Sequence, residues 1–366
     1  MNADLAVVGA GPAGLTAAIL AARRGLSVVL LGDGPAHPGR IELAPPTLVP
    51  LLLDLGVHPI RAGWSGACAR RRVAWETAAP VLVEERAAAL IERPRLEQSL
   101  DEMAARETRI HRVPRQSAPP RSRGIWCGDA WQSPLLLDAT GRRALLARDR
   151  VRWTSVAWHW TGPPSGDADR PASFAIAALP DGYAYRLQTR VGDQFARVTL
   201  RPGRVGLVDT LGVLDAHGLR WLTEGFDAGS AVAARPVAAG LQRSRLPADG
   251  TLLAIGDTAL ARDPLSSQGV LSAMVDACHA IDSLKDTRAW ASLTRDRAEG
   301  EWQRHLTHLK ALVERGRFAG EGAWRQYGEW LRAFGGDVEL EVGGSSGTSG
   351  VVVAPFGKAK RQGARG

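Results

Sequence analysis

Asp4-Leu5-Ala6-Val7-Val8-Gly9-Ala10-Gly11-Pro12-Ala13-Gly14, followed by the alanine-rich run Leu15 to Arg24, decides the fold. Asp4 to Val8 reads as a short apolar strand. The run to Arg24 reads as a helix stopped by Gly25, and Leu26 to Leu31 as a second apolar strand ending at Gly32-Asp33-Gly34. Strand, glycine turn, helix and strand within about thirty residues form the unit that binds a dinucleotide. Gly9 permits the tight turn, Gly11 lets backbone approach a pyrophosphate, and Gly14 lets the helix pack on the strand. The phosphates then meet the helix N-terminus, where N–H groups and the helix dipole favour negative charge. A bare G-x-G-x-x-G can be a glycine turn without a ligand, but its position between a strand and a helix favours the binding reading. The acidic residue for the ribose hydroxyls ordinarily ends the second strand; Gly32 stands there, and Asp33, one step later, is the candidate.

Two later stretches extend this pattern. Leu135-Leu136-Leu137-Asp138-Ala139-Thr140-Gly141-Arg142 is an apolar strand running into a small-residue turn. Leu252 to Ile255 leads into Gly256-Asp257-Thr258-Ala259, then Asp263-Pro264-Leu265-Ser266-Ser267-Gln268-Gly269 and a helix from about Val270 to Ser283. In this order the three motifs resemble the flavoprotein monooxygenase superfamily typified by p-hydroxybenzoate hydroxylase, over roughly residues 4 to 284. The resemblance implies FAD as cofactor, with Gly256 and Asp257 near its ribityl chain and Pro264, Gln268 and Gly269 in a loop under the flavin ring. Arg93, in Glu92-Arg93-Pro94-Arg95-Leu96, is similar to an arginine on the flavin side of the pocket, and Arg40 to one near the pyrophosphate. A guanidinium fork suits phosphate oxygens; either arginine can also be read as a solvated surface residue.

The stretch from Asp263 to Gly269 is similar to the branch holding flavin-dependent halogenases and the flavoproteins that help mature cysteine tryptophylquinone. Arg40-Ile41-Glu42-Leu43-Ala44-Pro45-Pro46 resembles that branch's G-E-x-L-x-P segment, with Ile41 replacing glycine. Pro180-Asp181-Gly182-Tyr183-Ala184-Tyr185 falls where the branch carries a tryptophan-rich stretch, so Tyr183 and Tyr185, with Ser266 and Ser267, are candidate pocket residues. There are departures. Tyrosines replace tryptophans, the first motif is GAGPAG rather than GGGTAG, and no lysine precedes Lys285. Tryptophan halogenases depend on an early lysine, so that mechanism is disfavoured.

Composition bounds the rest. With 366 residues, 45% apolar and 23% charged, the chain has material for a sizeable core. Cys68, Cys127 and Cys278 are too few and too scattered for a disulfide framework. The net charge of +8 rests on arginines interleaved with acids and on a basic end, so neither nucleic acid nor a membrane is expected as a partner. The start of the chain lacks a basic leader and no apolar run reaches the length of a membrane span, so the expected location is cytoplasmic. There is no G-x-S-x-G elbow and no cysteine with a recognisable partner histidine. His305 and His308 share a helix face, but two ligands make a poor metal site, and no metal is expected.

Residues 150 to 235 alternate apolar and polar in short runs, including Thr154 to Trp160, Ser173 to Ala177, Tyr183 to Thr189, Gln194 to Leu200 and Arg204 to Asp209. This reads as an antiparallel sheet that roofs the flavin. Alternation puts Trp158 and Trp160 on one face and His159 on the other. The tryptophans line an aromatic pocket or simply pack the sheet, and Trp158 is carried as a pocket candidate.

The expected fold is therefore α/β: a Rossmann-type FAD-binding domain with G-x-G-x-x-G, an antiparallel β-sheet substrate domain and a C-terminal helical appendage. The FAD-binding domain takes residues 1–149 and 236–284, with part of 61–90 open to assignment to the substrate domain at 150–235. Residues 285–335 form the C-terminal helices, and 336–366 a Gly/Ser linker and basic tail. That tail reads equally as a native tail, a foreign remnant or a tethered peptide. The resemblance implies a monooxygenase that oxygenates an aromatic group through a flavin C4a-hydroperoxide. The substrate would be an aromatic small molecule, or tryptophan in a peptide or protein being matured. The expected co-substrate is O2, with NAD(P)H or a partner flavin reductase as electron source. An oxygen-independent flavin reductase or dehydrogenase, and a flavin-bearing binding or maturation partner without turnover, are the alternatives.

Overall fold

The computed structural model describes residues 1–34, 40–68, 70–83, 88–114, 121–122, 125–147, 149–165, 172–245, 250–285 and 287–335. The linker and tail expected from residue 336 onward lie outside them. Five parallel strands form the first sheet, in the order Leu252–Ala254, Leu136–Asp138, Leu5–Val8, Val28–Leu31, Ile110–Val113. The first four are buried along their length, because helices cover one face and Trp126 and Trp131, on and beside a small antiparallel sheet, pack on the other. Helices Pro12–Arg23, Arg93–Arg106 and Gly269–Asp282 share one apolar cluster with them, including Leu15, Ile19, Leu96, Met274 and Ile281. The fifth strand is a sheet edge with an exposed centre at His111 and Arg112, a weak apolar signal that alternation does not reveal.

A second sheet is built on four antiparallel strands: Val156–Gly162, Asp193–Thr199, Gly182–Gln188 and Ser173–Leu179. Arg70–Ala74 joins parallel to Ser173–Leu179 and brings Val81–Val83 with it. One face packs Phe174, Ile176, Tyr183, Leu187 and Val198 against Trp302, Leu306, Leu309, Trp324 and Tyr327. Those five come from the helices Thr287–Arg315 and Gly322–Gly335. The C-terminal helices are thus built into the core rather than hung on its outside. The opposite face carries Trp160, Ala175, Ala177 and Phe195 under Leu214, Leu219 and Leu222.

The run Arg204 to Asp209, read above as a strand, instead leads into the helix Leu207–Ala216. Two local causes decide it. Leu207, Leu211 and Leu214 fall at helical spacing against the sheet, and the Asp209 carboxylate accepts the Gly206 N–H at 3.1 Å, capping the first turn.

Candidate functional site

The three motifs converge at the carboxyl ends of the parallel strands, the edge at which open α/β sheets bind ligands. Gly9 has φ of +113°, and a Cβ there would lie 2.3 Å from the Ala139 carbonyl oxygen. A Cβ on Gly14 would lie 1.8 Å from the Gly9 oxygen and 3.2 Å from the Ala139 Cβ. Both glycines are therefore steric necessities of the contact between the first turn and the Asp138-Ala139-Thr140 turn. A Cβ on Gly11 would meet nothing within 4 Å. Gly11 is also the N-cap of the helix Pro12–Arg23, which has no side-chain cap and no acidic residue in its first turn. This is an open cradle of backbone N–H groups suited to a pyrophosphate, so the residues fit FAD on that side. Gly256, at φ +60°, packs on Ala13 and Ala273 and brings the third motif to the start of the same helix.

Asp33 sits exposed two residues past the end of the strand Val28–Leu31. The displacement has a steric cause: a Cβ on Gly32 would stand 2.8 Å from the Ala10 Cβ. No acidic side chain can occupy the usual ribose position. Asp138 does other work. Fully buried, it accepts from Thr140 N at 3.0 Å, Thr140 Oγ1 at 2.6 Å and Leu146 N at 3.0 Å, so it shapes its turn rather than meeting ligand.

A charged layer lines the cleft beyond the turns. Arg93, at the start of its helix, donates from Nε to Glu97 Oε1 at 2.6 Å and faces Glu42 at 3.4 Å. Arg40 Nη2 also stands 3.4 Å from Glu42. Burial alone would pull the Arg93 pKa down, but Glu42, Glu97 and Asp257 outweigh it and leave the guanidinium held charged. Asp257, 35% exposed, lies 3.5 Å from Arg142 Nε. Arg142 in turn donates to the Gly240 and Arg262 carbonyls, so the guanidinium locks the Gly256-Asp257 turn to the Gly141 turn.

Above this layer, the strand Ile41–Ala44 is tied to the large sheet by one side chain. Gln194 Oε1 accepts from Ile41 N at 2.9 Å and Gln194 Nε2 donates to Ile41 O at 3.1 Å. Next along the same face, His159 and Tyr185 both pair with Ala196 on the strand between them. That small residue lets His159 Nε2 and the Tyr185 hydroxyl meet at 3.1 Å. His159 is 2% exposed. Burial, and then Arg40, push its pKa down to about 3, so the ring is neutral at ordinary pH. Burial pushes Tyr185 up to about 12, and Glu42 adds to this while Arg40 opposes it. The pair is a neutral hydrogen-bonding unit facing Arg40 and Glu42.

The structure sorts the pocket candidates. Tyr185 is in this roof. Tyr183 is fully buried and donates to Asp263 Oδ1 at 2.8 Å, so it anchors the loop rather than lining a cavity. Trp158 points away, packed with the cluster under the helix Leu207–Ala216, because it alternates with His159. Ser266 donates its hydroxyl to Asp263 O at 2.9 Å, and Ser267, at φ +50°, turns the chain toward Gln268 and the exposed Gly269. Pro264 opens this turn directly after Asp263. Glu42, Arg142, His159 and Asp263 were not singled out from sequence, although His159's alternation with two tryptophans and Asp263's place before Pro264 were visible. Among the described residues no group of three potential metal ligands occurs, and His305 accepts the Asp263 N–H at 3.3 Å.

Residues 4–44 match the family model of the FAD binding domain. No curated protein matches the chain in sequence. Among solved structures it is similar to the peptidyl tryptophan dihydroxylase QhpG, described as essential for tryptophylquinone cofactor biogenesis. That likeness has 22% identity over 89% of this chain and 78% of that one, with a TM-score of 0.70. It is similar to the flavin-dependent brominase Bmp2 at 17% identity over 86% and 88%, with a TM-score of 0.71. It is also similar to a geranylgeranyl bacteriochlorophyll reductase-like protein of Thermoplasma acidophilum, at 15% identity over 93% and 94%, with a TM-score of 0.61. Residues 4–44 are therefore similar to an FAD binding domain, and the chain shares its Rossmann-type fold with the flavin-dependent brominase and the tryptophan dihydroxylase.

Proposed function

We propose that the protein is an FAD-dependent monooxygenase-like oxidoreductase that oxygenates an aromatic group, with tryptophan in a peptide or protein under maturation as the favoured substrate. The observation that carries this reading is the convergence of the open Gly9–Gly14 cradle, the Asp257 turn and the Pro264–Gly269 loop beneath a roof formed by His159 and Tyr185. FAD, when bound, supplies the redox chemistry that activates O2. The chain's own residues bind and orient. The helix Pro12–Arg23 receives phosphate, Arg142 holds the Asp257 carboxylate at the cleft, and the uncapped start of the helix Gly269–Asp282 adds a positive dipole end.

The roof presents a neutral imidazole–phenol pair, which can accept a hydrogen bond from an aromatic N–H or exchange one with an aromatic O–H without placing a charge against the ring. Arg40 and Glu42 stand beside this pair as an ion pair. No lysine precedes Lys285 in the sequence, which sets the chain apart from lysine-dependent halogenation. The QhpG likeness supports, at the level of fold, a peptide as substrate. Electrons would come from NAD(P)H or from a separate flavin reductase, and the reaction would run without nucleic acid or membrane.

The test is to load the protein with FAD, reduce it anaerobically, and mix it with oxygenated buffer in the presence of tryptophan-containing peptides. A transient absorbance distinct from oxidised and reduced flavin, with a peptide gaining the mass of one or two oxygen atoms, is the expected result. Substrate reduction without oxygen would replace the proposal with a reductase. Tight peptide binding without turnover would replace it with a maturation partner.

A further inference from the structure

Asp263 gathers four elements onto one buried residue. Its carboxylate is 1% exposed and accepts from Leu265 N at 3.0 Å, Tyr183 OH at 2.8 Å and Tyr327 OH at 3.2 Å. Tyr183 comes from the large sheet and Tyr327 from the last helix, Gly322–Gly335. Its own N–H donates to Nε2 of His305, on the helix Thr287–Arg315, and its carbonyl accepts from Ser266 Oγ. The partners of the carboxylate are hydroxyls and an amide rather than a cation, an arrangement that fixes geometry more than it balances charge. Burial pushes the carboxyl pKa up, while the donors from Leu265, Tyr183 and Tyr327 oppose that rise.

The residues that follow are the loop assigned to the flavin. Pro264 to Ser266 make a single turn, and Ser267 takes the left-handed conformation that a non-glycine residue holds only when its surroundings impose it. What imposes it lies on the Asp263 side: two hydrogen bonds to the Asp263 carbonyl, from Ser266 N and Ser266 Oγ, and one to its carboxylate from Leu265 N. Tyr327 and His305 reach Asp263 from behind, on helices that contribute no residue to the cradle or to the roof.

We infer that Asp263 is a positioning residue through which the two C-terminal helices set the shape of the flavin loop. The inference rests on the FAD reading above but concerns this chain's own loop. It makes cofactor affinity and potential depend on a tyrosine more than sixty residues downstream of the loop. The helices are then required for a correct flavin site and not only for stability.

The test compares the full-length protein with Tyr327→Phe and Asp263→Asn, using His308→Ala as a control on the same helix as His305. In the FAD-free protein, amide hydrogen exchange of residues 265–269 should accelerate about tenfold in Tyr327→Phe, on the scale of one lost hydrogen bond in a local opening. In the FAD-loaded protein the same variant should raise the FAD dissociation constant about fivefold or more and shift the midpoint potential and visible circular dichroism of the flavin. His308→Ala should change neither. Unchanged loop exchange and unchanged flavin potential in Tyr327→Phe would overturn the inference, and this conservative variant decides even if Asp263→Asn does not fold. Should the wild-type protein take up no FAD, the functional reading fails, while the exchange data still judge the coupling.

Discussion

The large sheet has two faces made from the same strands, alternate residues at a time, and they differ in how far their polar groups are closed. On the outer face Arg186 and Asp193, each 1% exposed, form an ion pair at 2.5 Å. Arg186 also donates to the Leu222 and Glu224 carbonyls and to Ser165. Trp160 stacks on Phe195 with ring centroids 5.7 Å apart. That face ends in protein. On the inner face His159 and Tyr185 share one hydrogen bond, and Tyr185 remains half-buried beside Arg40 and Glu42. A face whose buried charges pair with one another inside the fold is architecture; one that leaves a phenol beside an ion pair at its edge is available for chemistry.

The strongest way to break this contrast is Arg186→Leu. Removing one partner leaves the Asp193 carboxylate buried without its cation, which costs about 3–5 kcal/mol. Denaturant melts should record that loss, yet the protein that remains folded should bind FAD as wild type does. Impaired FAD binding at full stability would show that the outer face shapes the site after all.

Tyr185→Phe and His159→Asn probe the inner face. Each removes a group from the hydrogen-bonded His159–Tyr185 pair beside Arg40 and Glu42, and turnover of the aromatic substrate should fall about 10- to 100-fold, on the scale of general acid–base and hydrogen-bonding groups at the lower end. Tyr185→Phe should cost about 1–3 kcal/mol of stability, because the buried His159 Nε2 loses its partner, which is less than the loss in Arg186→Leu. Steady-state kinetics set beside thermal melts separate the two outcomes. A melt lowered as far as that of Arg186→Leu, with kcat intact, would make the inner face structural as well.

Much of this division was legible in the sequence, because β-strand alternation is strict. The pattern Trp158-His159-Trp160 puts the histidine opposite the tryptophans whatever the fold does elsewhere. What alternation cannot state is which face meets the ligand. That depends on where the C-terminal helices dock, through contacts such as Trp324 Nε1 to the Leu179 carbonyl, between residues 145 positions apart. The glycine motifs were readable for a different reason: close backbone approach excludes every other residue, as at Gly9 and Gly14, so the constraint is written in single letters. The charged layer was only partly readable. Arg40 and Arg93 stood out, but Glu42 and Arg142 gain their roles from strands and turns that meet only in three dimensions. Helix Leu207–Ala216 was misread because Leu207 to Asp209 is too short a run to separate a period of two from one of 3.6.

Acid should affect the inner side of the molecule first. Burial holds His159 and His305 at about 3, below their ordinary 6.5. Between those values the unfolded chain takes up protons that the folded protein refuses, so stability falls as pH drops below about 6.5, by up to ~1.4 kcal/mol per pH unit for each proton. Asp276 works the other way. Burial pushes it up to about 6, so protonation of the folded state adds stability between pH 6 and its ordinary 3.8. Thermal melts from pH 7 to pH 4 should therefore show a net acid loss that is shallower in His305→Gln. An unchanged slope in that variant would mean that the histidine is charged in the folded protein, which is incompatible with its Nε2 accepting the Asp263 N–H.

The smallest effect expected is the most pointed, because it concerns the residue that sequence alone offered as a pocket wall. Trp158→Phe trims an indole that packs with the outer-face cluster beneath the helix Leu207–Ala216. A large-to-smaller aromatic exchange at a partly buried site should cost about 1 kcal/mol or less, and neither KM nor kcat for an aromatic substrate should move by more than about twofold, the reach of a few tenths of a kcal/mol. Tyr185→Phe, two strands away on the inner face, should lose turnover in the same assay. If instead Trp158→Phe raised KM while Tyr185→Phe did nothing, the faces would be assigned the wrong way round, and the substrate would enter from the side that the helix Leu207–Ala216 now covers.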